Sequence, residues 1–131
     1  MKTLIYGAAF IIGASSLAMA QDAPKFLTET YPEHALAAAL EARGVLEGEE
    51  AALDVKTREL IALGVAAQIP CSYCAYAHTL KAKAAGASEA EIREAVAAAA
   101  TTRQWSTVLN GMQYDFDEFR AEYDQLMQKT N

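Results

Sequence analysis

The sequence predicts an all-α domain, and three observations carry that reading. Apolar residues recur at spacings of three and four along most of the chain. Helix start and stop signals fall at the ends of those runs: Pro32, Gly44, Asp54, Pro70, Gly86 and Ser88-x-x-Glu91. Nowhere do β-branched residues alternate with period two, as a half-buried strand requires.

The chain opens with a short positive start, Met1-Lys2-Thr3. An uncharged stretch from Leu4 to Leu17 follows, then the small-x-small triplet Ala18-Met19-Ala20. This is the pattern of a secretory signal peptide, residues 1–20. Its apolar core is short for a membrane span, although an uncleaved N-terminal anchor is the alternative. Gln21, and not a cysteine, stands directly after the cleavage site, which argues against a lipid anchor. Residues 21–31 are polar with little periodicity and read as a linker or extended arm, leaving 32–131 as the helical domain.

Within that domain, Pro32 opens a helix expected to run to about Arg43 and to stop at Gly44. Glu47–Glu50 is a short acidic run around Gly48, a solvated turn or a helix start. Asp54 is placed to cap a helix over Val55–Gln68, with Leu60, Ile61, Leu63 and Val65 as its apolar surface. Ile69-Pro70 breaks it, because the residue before proline is pushed out of helical geometry. A further helix runs from Cys71 or Ser72 to about Ala85 and ends at Gly86. Ser88-x-x-Glu91 is a capping box for the next, about Glu89 to Thr102. Its alanines permit close helix approach, so it reads as a buried central helix or a subunit contact. Trp105, Val108, Met112, Phe116, Phe119, Tyr123 and Leu126 mark one last long helix, or two with a break near Gly111. Trp105, Phe116 and Phe119 read as core residues and His34 as a surface residue.

With 131 residues the chain has room for one domain with a modest core, and joining with copies of itself would help to stabilise it. Its net charge is −6, and loss of Lys2 with the signal peptide makes the remainder more acidic still. No Lys/Arg cluster is present. Those features argue against nucleic acid as a partner, and against a membrane surface once the signal is cleaved. They favour a soluble protein acting on a small molecule or another protein, and the signal peptide places it in the periplasm or outside the cell.

The chemistry concentrates in Cys71-Ser72-Tyr73-Cys74-Ala75-Tyr76-Ala77-His78, which holds both cysteines of the chain and one of its two histidines. On a helix, Cys71 and Cys74 lie one turn apart and His78 one turn beyond Cys74, all on one face. At that spacing two Cα atoms fall within the roughly 4.4–6.8 Å that a disulfide tolerates. A bridge over two intervening residues removes little chain entropy, so a redox role suits it better than a structural staple. Pro70 sets the cysteines at a helix start, where free N–H groups and the helix dipole favour thiolate. Such C-x-x-C thiols have pKa values lowered to roughly 3.5–7.5. His78 is close enough to exchange a proton with Cys74. Glu59, on the preceding helix, can point back at this face if the two helices pack antiparallel, and there act as a proton relay. A solvated surface glutamate is the other reading. Zinc is the rival for a Cys, Cys, His cluster, with Glu59 as a fourth ligand. One helix face supplying three ligands is unusual for such a site, and no cofactor or metal is expected.

Glu59, eleven residues, Cys71-x-x-Cys74, three residues, His78 resembles the alkylhydroperoxidase D (AhpD) group of the carboxymuconolactone decarboxylase family. The flanking Leu60–Ala66 run and Lys81-Ala82-Lys83-Ala84-Ala85-Gly86-Ala87-Ser88-x-x-Glu91-Ile92 are similar to that family's surroundings, and the likeness covers about residues 50–110. The resemblance implies an all-α fold assembled as a homotrimer or homohexamer. It implies that Cys74 attacks a hydroperoxide and becomes a sulfenic acid, and that Cys71 condenses with it to a disulfide. It also implies that Glu59 and His78 move protons, and that a thioredoxin-like or other dithiol reductant reopens the bridge. Two features depart from the family pattern. Tyr73 stands where AhpD has a second histidine, and the signal peptide requires a reductant outside the cytoplasm. Decarboxylase members do not rely on a C-x-x-C pair. The expected function is therefore an exported thiol peroxidase for hydrogen or organic hydroperoxides. The alternatives are a periplasmic thiol–disulfide oxidoreductase acting on proteins and a non-enzymatic redox-sensing or binding module.

Overall fold

The computed structural model describes residues 22–130; the expected signal peptide lies outside them. Six helices are present and no strand, among the described residues: α1 (Lys25–Thr28), α2 (Glu33–Glu47), α3 (Val55–Gln68), α4 (Ser72–Ala84), α5 (Glu89–Gly111) and α6 (Phe116–Thr130). They fall into two compact units, divided between Ala52 and Leu53. None of these helices is long and apolar enough to cross a membrane.

The first unit holds α1 and α2. The segment expected as a plain arm contains α1, a single turn. Pro32 is the N-cap of α2, and its fixed φ suits the helix entry. The helix does not stop at Gly44. It continues to Glu47 and ends against Gly48. A glycine inside a helix costs only about 1 kcal/mol relative to alanine. An Arg43–Glu47 ion pair at 2.9 Å spans the position and helps to carry the helix through it. Leu36 is the buried residue of this helix.

The second unit is built on α3, which packs against both α4 and α5. Asp54 caps α3: its Oδ1 accepts from the Thr57 backbone N–H at 3.0 Å and its Oδ2 from the Thr57 hydroxyl at 2.7 Å. Those two bonds hold the Asp54 carboxyl below its ordinary pKa. The α3 helix meets α5 at Gly64, where an added Cβ would lie in ordinary van der Waals contact, 3.5 Å from the Ala99 Cβ. Leu63, Ala66, Ala82 and Ile92 form the buried apolar core of this unit.

Gly86 ends α4 with φ +86°. Gly86 N–H donates to the Lys83 carbonyl and Ala87 N–H to the Ala82 carbonyl, a Schellman closure. The capping box at Ser88 and Glu91 forms with both of its hydrogen bonds. The α5 helix runs nine residues beyond Thr102, to Gly111, and the break falls at Met112–Asp115 before α6. Only Ile92 of α5 is buried, so α5 is not a buried central helix within one chain. Trp105 is 59% and Phe116 70% exposed, against the expectation of core positions. Phe119 is half-buried and stacks with Phe116 and Tyr123. His34 is exposed, as expected.

Candidate active site

The α3–α4 connection is a tight reversal. The α3 helix ends at Gln68, and Ile69 leaves helical geometry at φ −95°, ψ 17°. Cys71 N–H then closes the turn onto the Ala66 carbonyl at 3.1 Å. The pairing of Glu59 with His78 across this turn makes α3 and α4 an antiparallel hairpin.

Cys71 is the N-cap of α4. Its sulfur accepts from the Cys74 backbone N–H at 3.2 Å, taking the place that a serine or aspartate oxygen fills in most caps. The two cysteines are joined as a disulfide with Cα atoms 5.3 Å apart. Both are half-buried. Cys71, Cys74, His78 and Lys81 follow at spacings of three, four and three, a single stripe along α4.

Glu59 reaches that stripe from α3. It is 3% exposed and is the sole buried charged residue among the described residues. A carboxylate so buried requires partners on both oxygens. Oε2 lies 2.5 Å from His78 Nδ1, and Oε1 lies 3.5 Å from the Lys81 ammonium. With Nδ1–H donated to Glu59, the imidazole keeps Nε2 for proton exchange, and the carboxylate fixes both tautomer and ring orientation. Of the two readings left open for Glu59, the surface one does not hold.

The structure thus brings Glu59 and His78 into direct contact and bonds Cys71 to Cys74. Tyr73 does not join them: it is 88% exposed and stands in solvent, and Tyr76 is likewise exposed. The histidine of the AhpD pattern therefore has no substitute at position 73. Lys81 is the member of the cluster that sequence reasoning passed over. The signal for it was one further turn of the same stripe, since 81 follows 78 as 74 follows 71.

No cluster of three or more His, Cys, Asp or Glu side chains is arranged to hold a metal ion, among the described residues. Two surface grooves lie away from the sulfurs. One, of about 400 Å³, runs between α3 and α5 over Ile61, Val65 and Arg103. The other, of about 680 Å³, lies where α5 meets α6, over Leu109, Tyr114 and Phe119. Neither is lined by a member of the Glu59–His78–cysteine group.

The model of the carboxymuconolactone decarboxylase family matches residues 32–115, which run from the N-cap of α2 to the start of α6. No curated protein and no solved structure matches the chain.

Proposed function

The chain belongs to the carboxymuconolactone decarboxylase family, and on that footing we propose that it is an exported thiol peroxidase of the AhpD type. The observation that carries this reading is the pairing of buried Glu59 with half-buried His78, one turn from a bonded cysteine pair. In the reduced protein, His78 Nε2 takes the Cys74 proton. The Cys74 thiolate attacks an oxygen of ROOH, and the O–O bond breaks. The leaving alkoxide departs as ROH with the proton returned by His78. Cys74 is now a sulfenic acid. The Cys71 sulfur attacks it and expels hydroxide, which leaves as water with the Cys71 proton. The peroxide has been reduced by two electrons and the two thiols oxidised to the disulfide. A thioredoxin-like or other dithiol then reopens the bridge by exchange. We assign the subunit arrangement to a homotrimer or homohexamer, which would cover the exposed apolar residues of α3, α5 and α6.

One observation favours a second reading. Cys71, not Cys74, is the N-cap and accepts the helix N–H, and that hydrogen bond stabilises a Cys71 thiolate. A Cys71 nucleophile suits exchange with a disulfide on another protein. Stopped-flow mixing of the reduced protein with hydrogen peroxide and cumene hydroperoxide separates the two. The peroxidase reading expects one equivalent of peroxide consumed per disulfide formed. It expects no reaction in Cys74→Ser, and one round ending in a trapped Cys74 sulfenic acid in Cys71→Ser. Inert Cys71→Ser with a reactive Cys74→Ser would overturn the assignment. Reduction of a disulfide-bonded protein without peroxide turnover would support the second reading.

A further inference from the structure

We propose that Lys81 is a positioning residue of the proton relay, holding the Glu59 carboxylate so that one fixed oxygen faces His78. Its part in turnover rests on the peroxidase reading; its effect on thiol reactivity does not.

The physical case begins with Glu59. A carboxylate rotates readily about its last side-chain bond, and a histidine on one oxygen does not by itself prevent the two oxygens from exchanging. Lys81 Nζ, 3.5 Å from Oε1, opposes His78 Nδ1, 2.5 Å from Oε2, so the carboxylate is held at two points. Both partners come from α4, three residues apart, and their relative placement is therefore fixed by the helix itself. Lys81 reaches in from a half-exposed position, with 38% of its side chain accessible against 4% for Glu59.

Charge provides the second reason. A buried carboxylate needs a compensating positive charge. The Lys81 ammonium supplies one from outside the relay, so the imidazole need not be charged for the site to be stable and can accept the thiol proton. Because His78 is oriented through Nδ1, any loosening of Glu59 reaches Cys74 as a misdirected Nε2.

The test follows the rate of Cys74 alkylation by iodoacetamide near neutral pH, in a Cys71→Ser background that leaves Cys74 as the one thiol. Lys81→Met, which keeps an apolar stem, is expected to slow alkylation about tenfold. Lys81→Arg should restore it to within about twofold, since a guanidinium also donates to a carboxylate oxygen. In a Glu59→Gln background, Lys81→Met should add nothing, because its action passes through Glu59. Lys83→Met removes the same charge from the same helix, where Lys83 pairs with Glu89 at 2.6 Å, and should leave the rate unchanged. An unaltered rate in Lys81→Met overturns the proposal. So does an equal loss with Glu59→Gln already present, or an equal loss in Lys83→Met. Peroxide consumption is read in parallel with both cysteines intact. If the wild type consumes none while alkylation still depends on Lys81, the peroxidase reading fails and the positioning role stands. If peroxide is consumed at an unchanged rate in Lys81→Met, the positioning role fails and the peroxidase reading stands.

Discussion

The α3–α4 hairpin and the α5–α6 region treat their side chains in opposite ways. The hairpin buries a charge, Glu59, and satisfies it from within the chain through His78 and Lys81. The α5–α6 region leaves Trp105, Val108, Met112, Phe116 and Tyr123 in solvent. A buried carboxylate is tolerated only where specific partners repay its desolvation. A run of exposed aromatics, by contrast, is unfavourable in water and is characteristic of a surface made to be covered. The contrast teaches that the hairpin satisfies its buried charge from within the chain, whereas α5 and α6 leave apolar side chains exposed in it.

The largest expected effect breaks the first half of that contrast. Glu59→Gln and His78→Ala should each lower the rate of Cys74 oxidation by peroxide about 100-fold at neutral pH, the scale of a lost general base. The double variant should be little worse than either single one, because the two groups act as a unit. His78→Ala also leaves the Glu59 Oε2 without its histidine, and its stability should fall by about 1–3 kcal/mol. Stopped-flow rates and urea melts check both statements. Additive losses in the double variant would show that the pair is not a relay.

The next effect concerns the second half. Val65→Asp places a charge in the α3–α5 groove, and Trp105→Asp places one farther along α5. If those residues meet another copy, the wild type should sediment as a trimer or hexamer and both variants as smaller species. A monomeric wild type would mean that the exposed apolar surface serves something other than self-association.

These two regions were also unequally legible in the sequence. Helix ends in the second unit are set by side chains a few residues away, so Asp54, Gly86 and the Ser88–Glu91 box could be read directly. The spacing of Glu59, Cys71, Cys74 and His78 allowed α3 and α4 to face each other but left Glu59 equally readable as a surface residue, because spacing along the chain does not fix how two helices pack. Lys81 was passed over because a lysine on a helix is ordinarily a solvated residue. Gly44 misled because its helix-breaking cost is small and an ion pair offsets it. The aromatics of α5 and α6 misled for a different reason. Periodicity shows that a face is apolar and cannot say whether the same chain covers it.

The smallest effect lies where α3, shared by the two regions, is tied to α5. Lys56 on α3 donates to Glu91 Oε1 at 2.8 Å, while Glu91 Oε2 accepts from the Ser88 backbone N–H at 2.7 Å. The Lys56 bond is the chief cause that lowers the Glu91 carboxyl from 4.5 to about 2, with the Ser88 bonds next. The same bond raises Lys56 above 10.5. Because the Glu91 pKa is depressed on folding, its contribution is present above pH 4.5 and is lost as pH falls from there to about 2. Because the Lys56 pKa is elevated, the lysine's contribution is present below pH 10.5 and is lost as pH rises through its raised value. Urea midpoints of the wild type and Glu91→Gln, measured against pH, should therefore differ most on the plateau between these limits and converge at both ends. Asp54 and Glu89 are also held below the ordinary range, by Thr57 and by Lys83 respectively. They titrate in both proteins, so they cancel in the difference. A difference that stays constant from pH 6 down to pH 2 would mean that Glu91 acts through its shape as a cap and not through its charge, and the link between α3 and α5 would then be one of packing alone.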